Sequence, residues 1–112
     1  MTVRVPVARV DEFPPGTMRG VDHGGEKYVV ANVDGTFHGL EGICSHEYAD
    51  LAGGFLATDQ IVCPLHASAF DVCTGEVLGP PATEPIAVFP VEVSEGIVYL
   101  LVPEELGQKS LK

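Results

Sequence analysis

Lysine and arginine are scarce in this sequence. Its 112 residues contain 6 Lys and Arg against 16 Asp and Glu, which gives a formal net charge of −10 at pH 7. Nucleic acids and anionic membrane surfaces are disfavoured as partners, because binding to phosphate groups depends on basic side chains. An acidic protein is instead attracted to basic patches on other proteins. Acidity also keeps a chain in solution, so the charge alone leaves both interpretations open.

Long apolar runs are also missing. No stretch approaches the roughly 20 apolar residues that a membrane-spanning helix requires, and the longest clear run, residues 97–102, has the length of a strand. Arg4, Arg9 and Asp11 interrupt the first residues before the apolar part of a secretory signal could form. The 3 cysteines are a poor basis for a disulfide framework. We therefore expect a cytoplasmic protein with reduced thiols.

Helix signals are weak, and the pattern predicts a series of short β-strands. The 9 Pro and 13 Gly interrupt most windows of helical length, and short β-branched runs lie between them. Pro6 favours an edge position for the first strand, because proline cannot donate to a strand ladder. Asp34-Gly35 predicts a hairpin turn, since both of its positions need positive φ. A second hairpin is predicted around Ser94-Glu95-Gly96. The predicted strands are residues 3–10, 17–21, 26–33, 36–40, 60–62, 86–93 and 97–102.

We expect one domain over residues 1–112. Residues 1–42 and 84–103 would form a basal β part. Residues 43–83 are richer in Gly, Pro, Cys and His, and they predict a loop-rich subdomain inserted between the two basal segments. The polar tail, residues 104–112, is expected to fray.

Two segments combine a thiol with an imidazole at close spacing, Cys44-Ser45-His46 and Cys63-Pro64-Leu65-His66. Residues 47–62 separate them, so two loops can each offer one sulfur and one nitrogen to a shared metal centre. Zinc accepts two Cys and two His, but its usual spacing pairs Cys with Cys and His with His. Blue copper uses a single Cys, which leaves the second thiol unexplained.

A binuclear iron–sulfur centre of the Rieske type has a different requirement. Two cysteines bind one iron and two histidines bind the other, so each loop sends one ligand to each iron. Ligands that alternate along the chain satisfy this geometry. We therefore expect the metal ligands to be Cys44, His46, Cys63 and His66, with a structural zinc site as the alternative.

The motif C-x-H followed by C-x-x-H resembles the signature of the Rieske family. The resemblance covers nearly the whole chain and is strongest from Cys44 to Ala82. It implies an all-β fold in which an antiparallel sandwich or barrel base carries a small cluster-binding subdomain. It also implies one [2Fe–2S] cluster, with its buried iron on the cysteines and its outer iron on the histidines. The further matching segments are Gly53-Gly54, Phe70-Asp71-Val72, Thr74-Gly75 and Gly79-Pro80-Pro81-Ala82, and the resemblance implies that the loop Gly79-Pro80-Pro81 covers the cluster.

Within that family the chain is most similar to the small ferredoxins that supply aromatic-ring-hydroxylating dioxygenases. Neither ligand segment has the extra cysteine of the Rieske proteins in respiratory and photosynthetic bc complexes. The resemblance implies a monomeric one-electron carrier, with a ferredoxin reductase and a terminal oxygenase as partners. No open metal position or substrate pocket is evident, so we expect no enzymatic activity of its own. The alternatives are a small subunit of an assimilatory nitrite reductase and a zinc-stabilised binding module without a redox role.

The remaining candidates have structural interpretations. Cys73 is expected to be a small buried residue at a strand end. His23 and His38 are expected to be ordinary surface or core histidines rather than ligands. Phe70 is expected to pack in the core. Asp50, together with its neighbour Glu47, could form an acidic docking rim or simply be solvated.

Overall fold

Short antiparallel strands dominate the chain. A computed structural model describes residues 2–43, 50–64, 68–79 and 84–103. The strands of these ranges are β1 (Thr2–Arg9), β2 (Met18–His23), β3 (Glu26–Val33), β4 (Thr36–Glu41), β5 (Phe55–Ala57), β6 (Gln60–Val62), β7 (Ala69–Asp71), β8 (Val77–Gly79), β9 (Val88–Phe89), β10 (Val91–Ser94) and β11 (Ile97–Pro103). They form three sheets with the strand orders β1-β11-β10, β2-β3-β4-β9 and β5-β6-β7-β8. The predicted all-β class is confirmed.

The described residues contain no helix that is long and apolar enough to cross a membrane. The only helical turns among them are two 3-10 segments of three residues, Val10–Glu12 and Leu51–Gly53.

The first strand lies at a sheet edge, as Pro6 predicts. β1 pairs only with β11, and the register of the pair shifts between Pro6 and Ala8. The missing N–H of proline therefore interrupts no central ladder, and the irregularity falls beside it.

Tight two-residue turns set the register of the hairpins. Asp34 (φ 53°) and Gly35 (φ 91°) join β3 to β4, which confirms the hairpin predicted there. The turn between β10 and β11 also has two residues, Glu95 (φ 53°) and Gly96 (φ 79°), because Ser94 already pairs with Ile97. The second predicted hairpin is therefore also present, with Ser94 at the end of β10 rather than in the turn. Positive φ at both central positions matches the twist of the flanking strands.

The prediction of one continuous strand over residues 86–93 was wrong. The segment divides at Pro90 into β9, which pairs with Gly39 and Leu40 of β4, and β10, which pairs with β11. Pro90 has no N–H for a ladder, but its carbonyl accepts a hydrogen bond from Leu101 N at 3.0 Å. The chain therefore passes from one sheet to the next at this residue.

Strand β3 lies between two buried clusters, and its alternating side chains contribute to both. Tyr28 and Val30 pack in the basal cluster with residues such as Leu100. Val29 and Ala31 pack in a second cluster, here called the upper core. A strand buried on both faces is the expected reason for its continuous apolar sequence. The members of the upper core are Val29, Ala31, Leu40, Leu51, Ile61, Cys63, Phe70, Val72 and Ile86.

The sheet of β5 to β8 presents one face to the upper core. Its paired residues Leu56, Ile61, Phe70 and Val77 all belong to that core or pack against it. The predicted strand at residues 60–62 is confirmed as β6. The other strands of this sheet, β5, β7 and β8, have three residues each and give no periodic signal that would predict them.

Candidate metal centre

Cys63 follows directly after β6 and is buried. Cys63 is 2% exposed and packs in the upper core with Ile61 and Phe70. Its backbone N–H donates a hydrogen bond to the carbonyl of Ser68 at 2.8 Å. Because successive strand residues face opposite sides of a sheet, Ile61 and Cys63 share the core side. The thiol is therefore held at the end of the sheet, in surroundings that exclude water.

The other three predicted ligands, Cys44, His46 and His66, lie outside the described residues. The chain on either side of them is described. Ile43 and Asp50 form a β-bridge across residues 44–49. The Cys63–Ser68 hydrogen bond does the same across residues 65–67. The first predicted ligand pair, Cys44 and His46, thus lies within a segment whose ends are joined by the Ile43–Asp50 bridge. The second pair, Cys63 and His66, begins at Cys63, whose hydrogen bond to Ser68 closes the second segment.

The bases of these two segments pack together. Leu51, just after the first segment, is fully buried in the same core as Cys63. Gly54 approaches β6 so closely that a Cβ atom there would overlap the carbonyl oxygen of Val62 and lie 3.2 Å from Cδ of Pro64. The backbone that follows the first segment therefore rests on the residues on both sides of Cys63.

Asp50 caps the short helical turn that lies between the Ile43–Asp50 bridge and Gly54. Its carboxylate accepts a hydrogen bond from Ala52 N at 3.1 Å and caps the short helical turn Leu51–Gly53. Short polar side chains commonly cap helical turns in this way. The side chain is exposed, so this capping role and an acidic surface position coexist.

A third segment begins at the same end of the sheet. Gly79 of β8 pairs with Ala69, which directly follows Ser68. The return of the chain is fixed by Ile86, which is buried in the upper core and whose N–H donates to Gly75 O at 2.9 Å. Of the predicted covering loop Gly79-Pro80-Pro81, only Gly79 is among the described residues.

The predicted donor set fits a Rieske-type cluster. It consists of two thiolates and two imidazoles from two segments whose bases are in contact. The described thiol among them, Cys63, is buried among apolar residues, as expected for a ligand of the inner iron. A cluster with mixed thiolate and imidazole ligation needs this set and no oxygen donor.

Two other predictions concerned Phe70, in β7, and Cys73, in the turn that follows it. Phe70 is fully buried in the upper core, which confirms that it packs there. Cys73 is exposed, so the prediction that it is buried was wrong. It lies in a turn after β7, where its N–H donates to the carboxylate of Asp71 at 2.7 Å. The turn places it beyond the end of the strand and outside the core.

The two histidines outside the motif are both half-buried. His23 ends β2 and pairs with Glu26 across a glycine turn, whereas His38 lies in β4. His38 and Cys73 line a common cavity of about 380 Å³ away from Cys63. Two donors do not make a metal site, and the described residues contain no group of three or more His, Cys, Asp or Glu that could hold a metal.

The charges are distributed unevenly along the chain. No Lys or Arg occurs in residues 28–108, which include both predicted ligand pairs and most of the acidic residues. The basic residues in the described ranges all lie in the first part of the chain, and three of the four also have their contacts there, whereas Arg4 reaches Glu92 in β10. Arg4 pairs with Glu92, Arg9 with Asp11, Lys27 with Asp22, and Arg19 donates to the carbonyl of Glu12. The hydrogen bond and charge of Arg9 lower the pKa of the exposed Asp11 carboxyl. Negative charge in the ligand-bearing part is therefore not neutralised by neighbouring cations in sequence.

The fold is that of a small all-β protein, the donor set predicted for it is a mixed Cys/His metal centre, and comparisons with known proteins identify its family. The model of the Rieske [2Fe–2S] domain matches residues 3–90. The ferredoxin CarAc of Metapseudomonas resinovorans is 42% identical over 95 residues, covering 84% of this chain and 89% of the relative. The ferredoxin component of the naphthalene 1,2-dioxygenase/salicylate 5-hydroxylase systems of a Ralstonia species is 35% identical, covering 86% and 92%.

A solved structure agrees with these relatives. The complex of reduced oxygenase and oxidised ferredoxin in carbazole 1,9a-dioxygenase contains a chain that superposes with a TM-score of 0.84 at 40% identity, covering 88% of this chain and 92% of that chain. This chain belongs to the Rieske [2Fe–2S] domain family. It is a ferredoxin-type electron carrier with one Rieske-type [2Fe–2S] cluster, and it is not a catalytic enzyme by itself.

Proposed function

We propose that this protein is the ferredoxin component of a system that hydroxylates aromatic rings in hydrocarbon catabolism. It accepts single electrons from a ferredoxin reductase and passes them to a terminal oxygenase, as a monomer in the cytoplasm. The relatives that support this role are named as ferredoxin components of carbazole, naphthalene, biphenyl and phenylpropionate dioxygenase systems. Their similarity extends over most of the chain, so the proposal concerns the whole protein.

We further propose that Cys44, His46, Cys63 and His66 hold the cluster. The observation that carries this assignment is the packing of Gly54 against Val62 and Pro64, which brings the bases of the two ligand-bearing segments together. In the same proposal, residues 43–83 form the cluster-binding subdomain, residues 1–42 and 84–103 form the basal part, and residues 104–112 are a tail.

The donor set suits the transfer of single electrons. A bound cluster with two neutral imidazoles is less negative than one with four thiolates, so it accepts an electron at potentials of roughly −150 to +300 mV instead of about −400 mV. The protein contributes the buried position of Cys63, which limits water on the cysteine side. Exclusion of water around the ligands is one of the means by which proteins adjust such potentials.

Electron delivery to an oxygenase is the direct test of this function. The reduced protein, mixed with an oxidised terminal oxygenase from the carbazole, naphthalene or biphenyl systems, is expected to transfer one electron per cluster in a stopped-flow experiment. The transfer is followed by the return of the absorbance of the oxidised carrier. A protein that carries the cluster but is reoxidised by none of these oxygenases would contradict the proposal.

Salt is expected to slow this transfer. The ligand-bearing part of the chain is acidic, so encounter with a basic partner surface is accelerated by attraction that ions screen. Raising the salt concentration from about 50 to about 500 mM should lower the second-order rate constant by roughly tenfold.

An anionic chemical reductant provides the control for this measurement. The acidic surface repels the dithionite anion, and salt screens this repulsion. The rate at which dithionite reduces the protein should therefore increase as the salt concentration rises. A transfer rate to the oxygenase that is independent of salt, or that increases with it, would exclude attraction of the acidic surface as the steering force.

A further inference from the structure

We propose that the outer face of the β5–β8 sheet docks the terminal oxygenase, which would present an apolar recess edged by Lys and Arg side chains. Phe55, Val62, Ala69 and Leu78 are here called the outer row, and its two exposed side chains, Phe55 and Leu78, would contact the partner. This inference rests on the proposed function, because it specifies where the partner of that electron transfer binds.

The register of the sheet separates two faces. Leu56, Ile61, Phe70 and Val77 form a row that faces the upper core. The neighbouring row pairs Phe55 with Val62, Val62 with Ala69, and Ala69 with Gly79. Because alternate residues of a strand point to opposite faces, this second row faces away from the core. Leu78 is the extra residue at the irregularity in β8, next to Gly79.

The outer row exposes large apolar side chains at both edges of the sheet. Phe55 is 59% exposed and Leu78 is 48% exposed, whereas Val62 between them is 8% exposed. None of these three belongs to either buried cluster. Four strands spaced by about 4.8 Å place the two edges about 14 Å apart, which is the width of a small interface centre. Aromatic side chains in such positions commonly contribute most to binding.

The outer row is the last row of the sheet before the ligand-bearing segments. Val62 immediately precedes Cys63, and Ala69 immediately follows Ser68, whose carbonyl accepts the hydrogen bond from Cys63. A partner that covers this row therefore lies beside the residues on both sides of the second ligand pair. Docking at this face shortens the path between the two redox centres.

The charges around the outer row specify the chemistry of the partner. The next row on the same face contains Gln60 paired with Asp71, and Asp59 and Glu76 lie at the same end of the sheet. No basic residue lies in this part of the sequence. An apolar centre with a charged rim is the usual anatomy of a protein interface, and a rim of one sign requires a partner of the other.

Substitution of the two exposed residues tests the proposal. Phe55→Ser and Leu78→Ser are each expected to raise the dissociation constant for the carbazole 1,9a-dioxygenase oxygenase, or whichever of the three oxygenases the wild type reduces, by roughly tenfold. Val93→Ser is the matched control, because Val93 is 50% exposed but lies in β10 of the basal sheet. Calorimetry measures binding, and the electron paramagnetic resonance spectrum of each variant verifies that the cluster is intact.

The outcomes separate this proposal from the function on which it rests. A loss of affinity in Phe55→Ser and Leu78→Ser, with unchanged spectra and with Val93→Ser like the wild type, supports the docking surface. Equal affinities in all four proteins would overturn the surface and leave the function standing. A loaded wild-type protein that binds and reduces none of the oxygenases would overturn the function itself, and the surface with it.

Discussion

Replacement of Cys63 by serine is expected to abolish the iron–sulfur cluster, whereas replacement of Cys73 by serine is expected to leave it intact. Both residues are cysteines in the same part of the chain, but their surroundings differ. Cys63 is 2% exposed in the upper core beside the predicted second ligand pair, and Cys73 is exposed in a turn. Serine is a weak ligand for iron compared with thiolate, and a set with one ligand missing does not hold a [2Fe–2S] centre.

Three readouts measure this difference. The iron and sulfide content per protein molecule should fall to roughly a tenth or less of the wild-type value in Cys63→Ser. The rhombic electron paramagnetic resonance signal of the reduced protein should disappear. The melting temperature should also fall, because cluster binding is coupled to folding. Cys73→Ser should match the wild type in all three. Full loading of Cys63→Ser, or stoichiometric zinc and no iron in the wild type, would contradict the ligand assignment.

A single methyl group at Gly54 should have nearly as large an effect. A Cβ atom there would overlap the carbonyl oxygen of Val62, a backbone atom that no rotamer change can move. The strand end that leads into Cys63 would have to shift, and the two ligand-bearing segments would separate. Gly53 is the matched control, since a Cβ atom at that position meets nothing within 4 Å.

We expect Gly54→Ala to lose about 1–3 kcal/mol of stability, as is typical of overpacking, and to bind a substoichiometric amount of cluster. Gly53→Ala should keep full iron content and wild-type stability within about 0.5 kcal/mol. Urea unfolding and iron analysis of the two variants provide the comparison. Identical behaviour of the two alanine variants would show that the contact between Gly54 and Val62 does not position the site.

The sequence predicted the elements that depend on local chemistry. Asp34-Gly35 predicted its hairpin because the turn needs positive φ at both positions, and Pro6 predicted an edge strand because proline lacks a donor. The errors occurred where tertiary structure decides. Pro90 allows residues 86–93 to leave one sheet and join another, and no local pattern indicates which sheets those are.

The metal site, like the fold, was predicted in part from the sequence. Ligand type and spacing indicated the mixed Cys/His set, and the family comparison confirms the class of cluster. The burial of Cys63 agrees with that prediction, whereas Cys44, His46 and His66 stay predictions. The close approach of Gly54 to Val62 could not be predicted, because it depends on the β5–β6 hairpin, and the three-residue strand β5 gives no periodic signal.

The two-sided burial of β3 limits how far the metal-holding part can be treated as an exchangeable module. The upper core, against which residues 43–83 pack, includes Val29, Ala31 and Leu40, which belong to β3 and β4. An excised segment would leave Ile61 and Phe70 without the side chains that cover them. Transplanting residues 43–83 into another protein would therefore require the hairpin of β3 and β4 as well. Among natural relatives, sequence changes in residues 43–83 should be accompanied by changes in those two strands.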